Sequence, residues 1–464
     1  MDGNNYIDDI SKFNKTRIDT IFSVRTPQDI AQVICLAKKN NIKVSICGEQ
    51  HSMGGQTITR NGYLIDTKSF NRVIRFDPVN YLVIVEPGIT WAQLIYFLNK
   101  YGFSPKILQS YASFSIGGSV SINIHGITCD EPLCDSVVEL EIINADCKSI
   151  TCNRKINSEL FSLVIGGYGL FGIITNITLR VIRNTKLVMR SIMTNATDFQ
   201  KIYSELLTQD VAVKMGRINV TNMNDITLYV FHSTGPAVVS NIDKQPKEMG
   251  TISKLLYKWL LPNPYVQKMR YCVEKITGQA FDMKNSPNIT RNELLYESAR
   301  SLAELYSPLI NLNKTHILQE YFIPDHKNNF VIWMDYLREI FSNTYDGVSL
   351  LNISIRYVTT DCLTFLKYAP TNMFAFVFYY RINTDTETDQ MLAYIHNLLT
   401  NKTIQLKGTF YLPYRHHYSF SQLESAYPNI RKFFELKKKY DKNELFDNLW
   451  YDSYKNIVNL IVNF

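Results

Sequence analysis

Gly48-Glu49-Gln50-His51-Ser52-Met53-Gly54-Gly55-Gln56 and, after an intervening helical pattern, Ser113-Phe114-Ser115-Ile116-Gly117-Gly118-Ser119 are the two stretches on which the fold reading turns. Both expose backbone amides. Paired glycines permit positive φ and close approach of the main chain, so successive N–H groups can converge on a pyrophosphate without Lys or Arg. Either loop alone reads as an ordinary tight turn; together, in one α+β region, they point to a dinucleotide. A third cluster, Gly167-Tyr168-Gly169-Leu170-Phe171-Gly172, matches G-x-G-x-x-G literally, but a helical pattern precedes it and a β-branched run follows. A Rossmann fingerprint needs the opposite order, so NAD in such a site is disfavoured.

The flanking sequence supports α+β punctuation. Thr26-Pro27 can cap and open a helix whose apolar stripe is Ile30, Val33, Ile34 and Ala37. KVSICG from Lys43, YLIDT from Tyr63, RVIRFD from Arg72 and YLVIVEPG from Tyr81 read as short strands. A helix from Trp91 to Tyr101 follows a Thr90 cap. VVELEIINAD from Val137 reads as a strand, SELFSLVIGG from Ser158 as a helix, and FGIITNITLRVI from Phe171 as a long strand. Beyond Arg183 the texture changes to longer helices and strands such as ILQEYFIP, LLNISIRYV and MFAFVFYYRI, with a polar stretch near Ser240 to Gly250 read as a surface loop. The expected organisation is 1–183, 184–420, and a helical, aromatic segment 421–464 that packs back on either part.

Composition bounds the function. The chain has 464 residues, 45% hydrophobic and 20% charged, with a formal net charge of +7, which fits a folded protein of more than one domain. Its basic residues are dispersed; the longest run, Lys437 to Lys439, reads as the solvated face of a helix over Arg431 to Tyr440, so nucleic acid is not expected. No signal peptide or membrane span is visible, and the expected compartment is intracellular and cytoplasmic. The 8 Cys lack metal spacing and are expected as free thiols, Cys129 and Cys134 included. Asn-X-Ser/Thr triplets are frequent, as chance produces in an Asn-rich chain.

G-E-Q-H-S-M-G-G-Q, V-E-P-G-I-T-W-A-Q-L, S-I-G-G-S-V-S-I-N-I-H-G and L-F-S-L-V-I-G-G-Y-G-L-F-G-I-I-T, in that order, resemble the landmarks of the vanillyl-alcohol-oxidase (PCMH-type) FAD-linked oxidases. Among members the chain looks most like aldonolactone and alditol oxidases and the decaprenylphosphoryl-ribose oxidase group. The match covers about residues 20 to 183. It implies an FAD-binding domain of two α+β subdomains, followed by an α+β substrate domain with an antiparallel sheet. It also implies FAD contacts from Gly48, Gln50, His51, Ser52, Met53, Gly54, Gly55 and Gln56 in the first loop, and from Pro87 and Gly88 in the second landmark. Further contacts come from Ser113, Ile116, Gly117, Gly118, Ser121, His125 and Gly126 in the third, and Gly172, Ile173 and Ile174 in the fourth. The resemblance assigns His51 a covalent bond to the flavin 8α carbon, although Gln50 stands where relatives often have Gly or Arg. By residue type alone, His51 is a backbone-bonding histidine and His125 a satisfied structural one. No Cys occupies an obvious second tether position.

On the substrate side, Gln319-Glu320-Tyr321-Phe322 resembles a segment that places Glu320 in the pocket of alditol oxidases, and Arg356 resembles the arginine of their next substrate strand. The two are expected to clamp vicinal hydroxyls; a cross-strand ion pair is the equal alternative. Tyr411, Tyr414, Arg415 and His416 close the other side, with Tyr414 where the ribose oxidases carry lysine. Metal is not expected at His416 and His417, since successive strand residues point to opposite faces. The resemblance implies oxidation of a carbinol of a sugar-like or polyol substrate by hydride transfer to flavin N5, with O₂ as acceptor. A dehydrogenase with another acceptor, or a flavin-containing binding or structural protein with a lapsed redox site, are the alternatives.

Overall fold

The computed structural model describes residues 5–237, 239–242, 268–269, 289–297, 313–326 and 328–462, the side chains only as far as residue 455. Local chemistry starts the elements as the sequence predicts. Helix Pro27–Asn40 begins with Pro at its first turn and a reciprocal capping box. In it the Thr26 side chain accepts from the Asp29 amide, while the Asp29 carboxylate accepts from the Thr26 amide. Thr90 and Gln93 repeat the device at Trp91–Asn99.

The fold is α+β. A three-stranded parallel sheet, Thr20–Ser23, Tyr63–Asp66 and Val44–Cys47, carries Gly48 at the end of its edge strand. A six-stranded antiparallel sheet runs Ser149–Asn153, Val137–Ile143, Ile173–Arg183, Leu82–Val85, Val73–Asp77, with Phe103–Pro105 also pairing to Ile173–Arg183. An eight-stranded antiparallel sheet has the order Ile289–Thr290, Thr185–Asn195, Asp225–Pro236, Val211–Ile218, Val348–Val358, Met373–Asn383, Lys314–Pro324, Thr409–Phe410. Residues 243–250 of the expected surface loop lie outside the described residues.

The large sheet is apolar on one face and mixed on the other, and the period of two decides which residue goes where. Tyr321, Phe376 and Phe378 pack toward helix Asn329–Ile340, with Tyr321 and Phe376 against Trp333 and Phe378 against Phe341. Their alternates Leu318, Glu320, Ser354, Arg356, Val377 and Tyr379 turn to the opposite face, where a cavity opens.

Three expectations are corrected. Cys35 and Cys147 form a disulfide across 112 residues, joining helix Pro27–Asn40 to the turn after Val137–Ile143, so not all thiols are free. Cys272 lies outside the described residues. Lys437 is not on a solvated face: it is fully buried and paired with Asp441, whose carboxylate also accepts from the Leu445 and Phe446 amides. Burial lowers the lysine's pKa. Glu320 and Arg356 are not on neighbouring strands, because Met373–Asn383 lies between theirs. The C-terminal segment packs onto the first part of the chain, with Phe433 against Phe171, Trp450 against Tyr168, and Phe446 bridging to Val44. No helix among the described residues is long and apolar enough to cross a membrane.

Candidate functional site

Three cavities adjoin through shared lining residues, making a groove that runs from the glycine loops to the large sheet. The first, about 550 Å³, is lined by Gly48, Ser52, Gln56, Pro87, Gly117, Gly118, Ser121, Gly172 and Ile174 from the expected set. Ile46, Cys47, Thr57, Thr67, Ile122, Tyr168 and Gly169 line it too and were not anticipated. The third glycine cluster was the available signal for Tyr168 and Gly169. Both have positive φ, and the turn between helix Ser158–Val164 and strand Ile173–Arg183 is held against the end of helix Ile116–Ser121, the Gly166 and Tyr168 amides donating to the Val120 and Ser121 carbonyls.

The middle cavity, about 610 Å³, shares Gly48, Ser52, Thr57, Gly118 and Ile122 with the first and adds Gln50, His51 and Phe114. His51 stacks on Phe114 with ring centroids 4.1 Å apart, and its Nδ1 is buried with no hydrogen-bond partner. Burial lowers its pKa to about 4, so the imidazole is neutral at neutral pH. Gln50 Nε2 is likewise buried without a partner.

The upper cavity, about 600 Å³, shares Gln109, Phe114, Leu318, Tyr411 and Tyr414 with the middle one and contains His125, Glu320 and Arg356. His125 Nε2 and Glu320 Oε1 are 2.6 Å apart, both side chains 3% exposed. The His125 ring is enclosed by Phe322, Tyr368 and Tyr411. Tyr411 donates from its hydroxyl to the Ile122 carbonyl at 2.8 Å, and burial raises its pKa well above the usual phenol range. Arg356 donates from Nη2 to Ser110 Oγ at 2.6 Å.

Other expected residues are not brought to the groove. Arg415 donates to Asp389 at 2.7 Å, and His417 sits between Asp389 and His396. His416 packs behind Gly54, and burial lowers its pKa to about 3. Met53 joins the core, its sulfur accepting from the Leu318 amide. Gly55, Gly88 and Gly126 are packing glycines: a Cβ would meet Leu449, the Thr67 carbonyl or the Leu108 carbonyl. Ile116 and Ile173 are core residues. Ser113 does not line the groove, although its Oγ is buried without a partner.

The paired glycines separate by role. A Cβ on Gly117 would press on Pro87, whereas one on Gly118 would meet only Ser115 Oγ at 3.0 Å and otherwise project into the groove. Gly117→Ala is therefore expected to cost about 1–3 kcal/mol of stability as overpacking. Gly118→Val is expected to keep the melting temperature of the flavin-free protein and lose FAD binding, read by thermal denaturation and flavin titration. Normal FAD affinity in Gly118→Val would make this loop a turn and nothing more.

The groove's composition fits a dinucleotide with a fused aromatic ring: glycine-lined backbone at one end, an aromatic and an unpartnered imidazole at its middle. Residues 18–153 match the family described as FAD binding domain. Cytokinin dehydrogenase 2 of Arabidopsis thaliana is 24% identical over 61% of this chain and 60% of its own length. Cytokinin dehydrogenase 1 of the same plant is 33% identical over 31% of this chain and 26% of its own. Its mitochondrial L-galactono-1,4-lactone dehydrogenase is 25% identical over 40% of this chain and 31% of its own. Each match thus spans less than two thirds of the relative's own length. Residues 18–153 are accordingly an FAD-binding domain of the PCMH type, in a chain similar to cytokinin dehydrogenases and an aldonolactone dehydrogenase.

Proposed function

We propose that the chain is an FAD-dependent oxidoreductase that oxidises a carbinol of a sugar-like or polyol small molecule. In this reading residues 1–183 hold the cofactor, 184–420 present the substrate face, and 421–464 brace the cofactor side. Bound FAD supplies the acceptor for a hydride from the carbinol carbon. The chain's residues do the rest. Gly48, Ser52, Gly118 and Gly172 give backbone to the pyrophosphate end; His51 tethers the ring; Phe114, Leu318 and Tyr411 keep water from the reacting centre.

The single observation that carries the reading is the buried His125–Glu320 pair at the wall of the upper cavity. As the hydride leaves, the hydroxyl proton must go to a base within reach, and this pair is the acid–base couple that lines the cavity. Tyr411 fixes its surroundings, its amide donating to the Glu320 carbonyl at 3.0 Å. The final acceptor in this reading is O₂, which takes the two electrons and yields hydrogen peroxide.

The test is anaerobic mixing of flavin-loaded protein with sugars, aldonolactones, polyols and their acids, followed by admission of air. Bleaching by one of them, colour return in air and stoichiometric peroxide are expected. Bleaching without return in air assigns a different acceptor. A yellow protein inert to the whole panel overturns the reading.

A further inference from the structure

We infer that the substrate carries a carboxylate, bound by Arg356, and is a hydroxy acid rather than a neutral sugar or polyol. The inference rests on the oxidoreductase reading for the identity of the upper cavity as the substrate site, but its own evidence is the state of Arg356. This side chain lines the cavity in a residue only 8% exposed. A buried guanidinium ordinarily has a carboxylate beside it, because an uncompensated charge out of water is costly. Here no ion pair joins Arg356 to any acid among the described residues. Nη2 donates to the neutral Ser110 Oγ, and Nε is buried with no acceptor at all.

The one acid among the described residues lining the cavity does not serve it. Glu320 is held by His125. Strand register keeps the two apart: Glu320 is opposite Val377, Val377 is opposite Ser354, and Arg356 lies two residues further along. Two strand spacings put their backbones about 10 Å apart across the sheet, before that offset is added. Ser354, level with Glu320 and next to Arg356 on the same face, is a polar group suited to a hydroxyl of an intervening chain, while Asn352 lines the cavity on the far side of Ser354 from Arg356. A hydroxy acid of roughly three to six carbons fits this arrangement. Its carboxylate would take the N–H donors that Ser110 leaves open, and its reacting carbinol would sit toward His125 and Glu320. A phosphate dianion calls for more positive charge, and among the described residues Arg356 is the only Lys or Arg lining the cavity.

The experiment compares acids with alcohols of matched skeleton: D-gluconate with D-glucitol, and D- and L-lactate with propane-1,2-diol. Flavin-loaded wild type and Arg356→Gln are titrated anaerobically, with the flavin difference spectrum reporting binding and bleaching reporting reaction. In wild type at least one acid is expected to bind roughly tenfold or more tightly than its alcohol. In Arg356→Gln that acid weakens by about 10²-fold while the alcohol changes little, the scale of a lost charge-assisted contact. Ser110→Ala, which retains the charge, is the second variant should Arg356→Gln not fold. It should weaken the acid several-fold and spare the alcohol.

Equal affinity for acid and alcohol, no acid binding up to about 10 mM, or equal weakening of both in the variants overturns the inference. Bleaching by neutral polyols with no acid preference removes the inference and leaves the oxidoreductase standing. Arg356-dependent acid binding with no bleaching by any compound does the reverse.

Discussion

Glu320→Gln is expected to slow anaerobic flavin reduction by roughly 10² or more at saturating substrate, with flavin content and melting temperature close to wild type. The side chain is 3% exposed, and its Oε1 lies 2.6 Å from His125 Nε2. Gln keeps the shape and an acceptor oxygen for that contact, so the fold loses little. What it loses is basicity: an amide cannot take up the hydroxyl proton, nor support positive charge on the imidazole that takes it. A merely structural pair behaves differently, since weakening a buried hydrogen-bonded contact lowers the melting temperature and leaves turnover per flavin-loaded molecule unchanged. Stopped-flow reduction of the variant at the wild-type rate removes Glu320 from the mechanism. His125→Asn distinguishes the partners: a comparable loss there, with the double variant no worse than either single one, marks the two as one unit.

The face on which Glu320 stands was legible in the sequence, because strand alternation is local. Leu318, Glu320 and Phe322 share one side whatever the strand pairs with, and so do Ser354 and Arg356. Helix starts were legible for the same reason: the Thr26–Asp29 and Thr90–Gln93 boxes are written within four residues. Strand order was not. Nothing near residue 320 or 356 announces that Met373–Asn383 inserts between their strands, and that insertion turns an expected clamp into two separate polar sites.

Long-range packing hid the rest. Gly54 belongs to a loop that reads as cofactor-binding throughout, yet its Cα faces His416, a neighbour brought there by tertiary structure alone. Lys437 has its partner one helical turn away at Asp441, but the cover that buries the pair, Phe446 and Tyr451, comes from beyond the helix end. The Cys35–Cys147 bond closes between elements that share no sequence signal.

Acid-precipitated protein is expected to stay yellow and to carry flavin fluorescence through a denaturing gel, whereas His51→Ala releases all its flavin to the supernatant. The expectation begins with the imidazole's state. Nucleophilic attack on the 8α carbon needs a neutral ring with a free lone pair, and His51 has both: burial lowers its pKa to about 4, and Nδ1 has no partner. Phe114, stacked at 4.1 Å, holds the ring in one orientation at the groove's middle, beside Gln50 and Ser52. Such a tether would join an imidazole nitrogen of His51 to the 8α carbon in place of one C–H and one imidazole N–H bond, and the two protons and two electrons given up would pass to O₂ as hydrogen peroxide. Because the reacting form is the neutral one, the rate of tether formation after mixing flavin-free protein with FAD should be level from about pH 8 to pH 5. It should then fall roughly tenfold per pH unit below about 4. The sign for stability follows from the same shift: the unfolded chain binds this proton near 6.5 and the folded one only near 4, so the flavin-free fold loses stability as pH drops through that window. A tether rate that already declines at pH 6 would assign the nucleophile a normal imidazole pKa and exclude the buried His51. Flavin that precipitates with His51→Ala would place the bond elsewhere, and flavin that never precipitates with wild type would leave His51 a stacked, neutral wall of the groove.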